Sequence, residues 1–151
     1  MDKYRIGDSK VLESRETVDG KMIRRRREMP DGRRFTTYER IEMPALTVLK
    51  RSGNKENFDR DKLATAVRLS VGKFFNSELE IEEVINKVVE QLYSYGKDTV
   101  ESKQIGEAVL DVLAEVNEVA YVRFASVFQE FKTLDDFEGI LKEQKRKRMA
   151  K

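Results

Sequence analysis

Between positions 21 and 40 this chain carries eight basic residues and three acidic ones, a local charge of +5 against +2 for all 151 residues. Four of the basic residues are the consecutive arginines at 24–27. A guanidinium is planar and can bond two phosphate oxygens, or O6 and N7 of guanine, at the same time. The segment therefore predicts binding to a polyanion such as nucleic acid, with a solvated basic loop as the alternative.

Composition excludes several kinds of site. The sequence contains no cysteine and no histidine, which excludes disulfides, thiol or imidazole catalysis and any Cys/His zinc site. The remaining residue types that could act as catalysts show no clustered pattern, so we predict that the protein is not an enzyme. No apolar run is long enough to span a bilayer, and no apolar signal region follows the N-terminus. We therefore expect a cytoplasmic protein without a membrane partner.

Residues 1–44 have the pattern of a small β-rich domain. Strands are predicted at about 10–14, 22–24 and 34–38, separated by turn signals at Asp19-Gly20 and at residues 30–32. A polar unit of about 40 residues normally needs a metal, disulfides or a partner surface to hold its fold. What stabilises this domain is therefore an open question at the level of sequence.

From residue 45 the pattern changes to a β-hairpin followed by helices. Strands are predicted at 46–50 and 55–58, and Asp59 is the expected N-cap of a helix that ends near residue 75. Further helices with apolar stripes are predicted at about 78–95, 102–116 and 117–131, and from 134 onwards. We predict an α+β fold with a β-rich domain at 1–44, a mainly helical domain at 45–137 and a basic helical tail at 138–151.

Two sets of motifs resemble the NrdR family of bacterial transcriptional repressors, over roughly residues 7–138. The first set is SR at 14–15, IRRRRE at 23–28 and RRFTTYER at 33–40; the second is VLKRSG at 48–53, ENFDRDKL at 56–63, SKQIG at 102–106 and VAYVRFASVF at 119–128. The resemblance implies a zinc-ribbon-like domain followed by an ATP-cone domain that begins with a β-hairpin. It also implies repression of ribonucleotide reductase genes through paired operator boxes, in response to ATP and dATP.

The chain departs from this family where the ribbon should hold zinc. The family uses two Cys-x-x-Cys pairs, which would fall at Lys3 and Ile6 and around residues 29–32; without cysteine, no zinc is expected. Two interpretations remain open. In one, the domain is loosely folded and DNA binding is lost or altered. In the other, the DNA surface survives because an apolar cluster replaces the metal, formed by Tyr4, Ile6, Met29 and Phe35.

The resemblance also supplies candidate contacts to double-stranded DNA. Arginines that neutralise phosphates give an affinity that falls with salt, and those that reach base edges give selectivity. Because side chains alternate along a strand, only about half of the arginine run can reach one duplex. We expect one alternating pair to bind DNA and the other to pair with acids such as Glu28 and Glu39 or to line the domain interface. The candidates are Lys10, Arg15, Arg24, Arg25, Arg26, Arg27, Arg34 and Tyr38.

A second set of residues suits an adenine nucleotide. Lys50 and Arg51 end a predicted strand, and Lys62 lies in the first turn of the next helix, where free backbone N–H groups would also meet phosphates. No Gly-x-x-x-x-Gly-Lys frame is present. ATP or dATP, with which Mg²⁺ can bind, would therefore be an effector that is not hydrolysed. The residues expected to contact adenine and sugar are Val48, Glu56 and Phe58, and the resemblance adds Ser102, Tyr121 and Lys132.

These expectations combine into one function and two alternatives. The function is a nucleotide-responsive repressor of ribonucleotide reductase genes that forms a homo-oligomer of nucleotide-dependent size. The first alternative is an ATP-cone module that senses nucleotides and binds a protein partner, with specific DNA binding lost. The second is an enzyme acting on nucleotides, which product detection after incubation with ATP would reveal.

Overall fold

The computed structural model describes residues 5–149. The chain divides into two compact units, Met1–Pro44 and Ala45–Lys151. The first unit is built from strands, and the second is mainly helical with a small sheet. The predicted α+β fold class is thereby confirmed. No helix within the described residues is long and apolar enough to cross a membrane.

A three-stranded antiparallel sheet forms the N-terminal unit. After a short 3-10 turn at Ile6–Asp8, the chain forms β1 (Lys10–Glu16), β2 (Met22–Glu28) and β3 (Arg34–Arg40), in the order β1-β2-β3. Strand β2 runs through the whole arginine run and is longer than the predicted 22–24 segment. The β2–β3 turn contains Gly32 at φ +90°, a backbone conformation that glycine adopts without steric cost.

Over residues 45–149, the C-terminal unit combines a three-stranded sheet with five α-helices. Strand β4 pairs antiparallel with β5 and parallel with β6. Strand β6 was not predicted, because three residues that pair with a segment about 50 positions earlier leave no local pattern. The elements are β4 (Thr47–Leu49), β5 (Lys55–Asn57), α1 (Arg60–Val71), α2 (Glu78–Ser94), β6 (Thr99–Glu101), α3 (Ser102–Val116), α4 (Glu118–Phe128) and α5 (Leu134–Met149).

The predicted apolar stripes form the core of this unit, with Val67, Val71, Ile85 and Leu113 fully buried. Three corrections concern helix ends. Helix α4 ends at Phe128, whereas the sequence predicted a helix to about residue 131. Helix α1 stops at Val71 and gives way to a 3-10 turn at Gly72–Phe74, earlier than predicted.

Helix α3 is capped by Glu101 together with Gln104, and Ser102 is its first residue. The predicted caps Asp59 and Asn117 are both present, each accepting from backbone N–H groups of its helix.

A buried ionic network fixes α1 against α2. The carboxylate of Glu82, a residue only 5% exposed, accepts from Arg60 Nη2 at 2.9 Å and from Arg68 Nη2 at 2.8 Å. Arg60 also donates to Asn86 Oδ1 at 2.7 Å. Burial of the Glu82 carboxylate is tolerated because two guanidinium groups pair with it. The network therefore holds the first turn of α1, which carries Lys62, in a fixed place.

Helices α3 and α4 approach closely at Gly106, which supports a stability prediction. A Cβ built on Gly106 would lie 2.1 Å from Cε2 of Phe128, whereas one on Gly139 in α5 meets nothing within 4 Å. We expect Gly106→Ala to lower the free energy of unfolding by about 1–3 kcal/mol through overpacking. Urea unfolding followed by circular dichroism measures this. Gly139→Ala is the control, and an equal loss in both variants would contradict the prediction.

Candidate nucleic-acid interface and nucleotide site

The register of the N-terminal sheet sorts the predicted DNA contacts onto two faces. Side chains alternate along β2, and residues paired directly across an antiparallel ladder point to the same side. The face that carries Arg25 and Arg27 is called the Arg25 face, and the opposite one the Arg24 face. The Arg24 face holds six of the eight candidates, namely Lys10, Arg15, Arg24, Arg26, Arg34 and Tyr38.

On the Arg25 face both arginines are engaged within the sheet. Arg25 Nη1 lies 3.3 Å from Glu39 Oε2, so the expected pairing with Glu39 is confirmed. Arg27 Nε donates to Thr37 Oγ1 at 3.0 Å, and Arg27 Nη1 donates to Ser9 Oγ at 3.2 Å. Because the guanidinium groups of Arg25 and Arg27 are bonded within the sheet, they are less available to contact phosphates.

Glu28 does not pair with an arginine of the run, contrary to expectation. It stands directly opposite Lys10 and Arg34, and it pairs with Lys10 Nζ at 3.4 Å and with Arg34 Nε at 2.9 Å. The hydrogen bond from Arg34, followed by that from Lys10, lowers the pKa of the Glu28 carboxyl. Glu28 therefore remains a charged acceptor between the two outer strands.

In the middle of the Arg24 face, the arginine side chains have fewer partners within the sheet than on the Arg25 face. Arg26 Nη1 donates to Thr36 Oγ1 at 2.9 Å, and Arg15 forms an ion pair with Glu13. Among residues 5–149, the side chain of Arg24 has no hydrogen bond or ion pair. Arg24 lies directly opposite both Arg15 and Tyr38. This row across three strands thus presents a guanidinium that is available to a phosphate or a base edge.

In the C-terminal unit, two lysines converge on one carboxylate. Lys50 Nζ lies 3.2 Å from Glu56 Oε2, and Lys62 Nζ lies 3.4 Å from Glu56 Oε1. The hydrogen bond from Lys50 is the main cause that lowers the pKa of Glu56, and Lys62 adds to it. All three side chains are solvent-accessible. A phosphate group fits the same pair of cations, so these residues fit the triphosphate of an adenine nucleotide.

Arg51 belongs to an adjacent cavity of about 280 Å³. Because β6 runs beside β4, the start of α3 lies next to the hairpin, and Ser102 Oγ donates to Leu49 O at 3.5 Å. Lys103 lines this cavity and was missed from sequence, although it follows Ser102 in the quoted SKQIG motif. The lining residues are Arg51, Lys103, Glu107, Phe128, Gln129 and Glu130.

The remaining hairpin candidates contribute differently from what was expected. Val48 is buried in the core, and Phe58 packs against that core while remaining partly exposed. The expectation of free N–H groups at the start of α1 is wrong for Asp61 and Lys62. Asp59 already accepts from the N–H groups of Asp61 and Lys62 at 2.9 and 3.3 Å. Phosphate recognition here would therefore depend on the cationic side chains.

Tyr121 and Lys132 lie on other parts of the helical unit. Tyr121 is 1% exposed, and Lys147 Nζ of α5 lies 5.6 Å from its ring centroid. Burial, followed by the charges of Glu143 and Asp111, raises the pKa of Tyr121. Lys132 is exposed, and its backbone N–H donates to Asp136 Oδ2 at 2.9 Å. These surroundings favour a packing role for Tyr121. Lys132 lies two residues after Glu130, which lines the cavity beside Arg51.

Similarity to known proteins covers both units. A model described as "ATP cone domain" matches residues 46–134, and one described as "Transcriptional repressor NrdR-like, N-terminal domain" matches residues 5–39. A protein named Transcriptional repressor NrdR from Ruegeria pomeroyi is 46% identical over 137 residues, covering 90% of this chain and 88% of that protein. The chain belongs to the NrdR family.

Two further NrdR proteins show the same extent of similarity. The protein from Thermotoga neapolitana is 45% identical over 142 residues, covering 93% of this chain and 91% of its own length. The protein from Thermosynechococcus vestitus is 47% identical over 131 residues, covering 86% and 81%. Each of these matches is long enough to include residues of both units.

As an NrdR ribbon, the N-terminal unit does not fit zinc. A tetrahedral zinc site needs four nitrogen, sulfur or carboxylate donors. The chain has neither cysteine nor histidine, and residues 5–149 contain no group of three or more acidic side chains that could hold a metal. The proposed apolar replacement is wrong for Ile6, which is 58% exposed. Met29 is buried and Phe35 half-buried, and Tyr4 lies outside the described residues.

Proposed function

We propose that this NrdR-family chain is a nucleotide-responsive, DNA-binding transcriptional repressor of ribonucleotide reductase genes. The observation that carries the proposal is the Arg24 face, where six of the eight predicted DNA contacts lie on one side of a sheet in a chain that also contains an ATP cone. The relatives are named for repression, a regulatory and non-enzymatic role. Such a repressor would act in the bacterial cytoplasm, where the genome lies.

Recognition of DNA rests on Arg24 and its neighbours. Arg15, Arg24 and Tyr38 form one row across three adjacent strands, which are about 4.8 Å apart. The major groove admits a β-ribbon, and arginine can bond guanine O6 and N7 there. Arg26 is the next residue along β2 on the same face and would extend the contact to a neighbouring phosphate. Affinity for double-stranded DNA should consequently fall steeply with salt.

The nucleotide-sensing step rests on the two lysines that share Glu56. A bound triphosphate would replace the Glu56 carboxylate as their partner, and an accompanying Mg²⁺ would balance the remaining phosphate charge. Glu56, once released, could accept from the ribose, which is where ATP and dATP differ. Arg51 and Lys103 line the neighbouring cavity and add positive charge. The nucleotide thereby acts as an effector that changes side-chain pairing at the hairpin.

Self-association is supported by the outer surface of α5. Leu134 is 81% exposed, and Phe137 and Leu141 are also exposed large apolar residues. The first turn of α5 carries acidic residues and the last turn basic ones. An antiparallel second copy would place acidic turns against basic turns, which is the self-complementarity that a two-fold interface requires. We infer a homo-oligomer whose size depends on the bound nucleotide.

Gel-shift titrations and size-exclusion runs with ATP, dATP and no nucleotide test this function. We expect dATP to favour the assembly that binds a duplex with two operator boxes. The expected difference in DNA affinity between nucleotide states is about 5- to 150-fold, the usual range of allosteric coupling. A duplex with scrambled boxes is the control. Equal affinity for the operator in all three states would refute nucleotide control.

A further inference from the structure

We propose that the N-terminal sheet folds without any metal, because a polar clamp centred on Arg27 and Glu28 closes the end of the sheet where the family ribbon holds zinc. The corresponding zinc positions fall before β1 and in the β2–β3 turn. Residues Ser9 and Lys10 and the two clamp residues lie at this same end. The clamp is therefore placed where a tetrahedral metal would otherwise connect the two segments.

Arg27 supplies the connection on the Arg25 face. Its guanidinium donates to Ser9 Oγ, in the residue just before β1, and to Thr37 Oγ1 in β3. Ser9 Oγ in turn donates to Ile6 O at 2.5 Å, which closes the 3-10 turn at Ile6–Asp8. One side chain of the middle strand thus joins the segment that would carry the first Cys pair to the far strand.

Glu28 supplies the connection on the opposite face. Its carboxylate bonds Lys10 of β1 and Arg34 of β3, the residues directly opposite it on each side. Because Arg27 and Glu28 are adjacent in β2, their side chains point to opposite faces. Two adjacent residues of β2 therefore connect the three strands, one on each face of the sheet.

The turn that would carry the second Cys pair is closed by its own backbone. Met29 N donates to Arg33 O at 2.8 Å, and Gly32 N donates to Met29 O at 2.9 Å. Asp31 accepts from the backbone N of Arg33 at 3.0 Å and from its Nε at 2.6 Å. Met29 is 8% exposed. This turn holds its shape through hydrogen bonds that require no metal.

The clamp changes the roles of three predicted DNA contacts. Lys10, Arg27 and Arg34 become positioning residues, since their charged groups are bonded within the sheet. Binding to DNA is left to the other residues of the Arg24 face, above all Arg24 and Arg26, which the clamp holds in register. It also follows that chelators will not release this NrdR-family protein from DNA.

The test uses the full-length chain and reads folding directly. We expect elemental analysis to find no stoichiometric zinc, and hydrogen exchange to show protected β1–β3 amides with or without EDTA. Arg27→Ala and Glu28→Gln should lose this protection. Arg25→Ala, a control in the same strand with a single ion pair, should keep it. Bound zinc, loss of protection in EDTA, or equal behaviour of Arg27→Ala and Arg25→Ala would overturn the proposal.

Acid provides a second readout of the same clamp. Lys10 and Arg34 lower the folded-state pKa of Glu28 below 4.5, so its stabilising contribution is present above pH 4.5 and is lost as the pH falls through the folded-state pKa. The protection of β1–β3 should fall in that window in the parent chain. In Glu28→Gln, where protection is already low, no further fall is expected. Identical acid profiles would overturn the role of Glu28. Neither readout involves DNA, so failure here is distinguishable from failure of the proposed function.

Discussion

Replacement of Arg24 and Arg26 by alanine is expected to lower affinity for an operator duplex about 100-fold, because it removes a base contact of Arg24, at about 1–3 kcal/mol, together with a phosphate contact of Arg26. Both side chains lie on the Arg24 face. The side chain of Arg24 has no partner within residues 5–149, and the side chain of Arg26 bonds only the neutral hydroxyl of Thr36 among those residues. Their removal should therefore cost DNA binding with little loss of folding. Fluorescence anisotropy with a labelled duplex measures the effect.

Salt dependence separates this result from misfolding. Each lost phosphate contact should reduce the slope of log affinity against log salt by about 0.9. The control is Arg25→Ala, which removes one arginine from the same run but from the Arg25 face, where it pairs with Glu39. dATP binding should be unchanged in all variants. If Arg25→Ala weakens DNA binding as much as the double variant, the assignment of the DNA surface to one face is wrong.

Replacement of Lys50 and Lys62 by alanine is expected to abolish most adenine-nucleotide binding. The two ammonium groups converge on Glu56, and hydrogen bonds to charged groups contribute about 1.5–3 kcal/mol each. The combined loss should raise the Kd for dATP about 100-fold or more. Isothermal titration calorimetry measures it. Fold stability should change little, because all three side chains are solvent-accessible and exposed ion pairs contribute little.

Lys55→Ala is the matched control for this pair. Lys55 lies in the same hairpin, next to Glu56 but on the opposite face of β5, so its loss should leave nucleotide binding intact. The double variant should also show the same operator affinity with and without dATP. Retention of dATP binding by the Lys50/Lys62 variant would place the nucleotide site elsewhere in the helical unit.

Local sequence determined most of the helices and strands and the kinds of ligand that their side chains suit. The helix caps Asp59 and Asn117, the hairpin turns and the apolar stripes were predictable because each depends on residues within a few positions of one another. The residue types and spacing of the arginine run and the hairpin lysines likewise predicted anion binding. The absence of cysteine alone excluded a thiolate zinc site, and motifs along both units indicated the NrdR family.

Only the tertiary structure decided which of those residues act together. Strand register, set by pairing across the sheet, divided Arg24 and Arg26 from Arg25 and Arg27. Parallel pairing of β6 with β4 brought Lys103 beside Arg51, and helix packing buried Tyr121. The clamp of Arg27 and Glu28 joins residues up to 18 positions apart. Such contacts depend on how distant segments meet, and no local pattern carries that information.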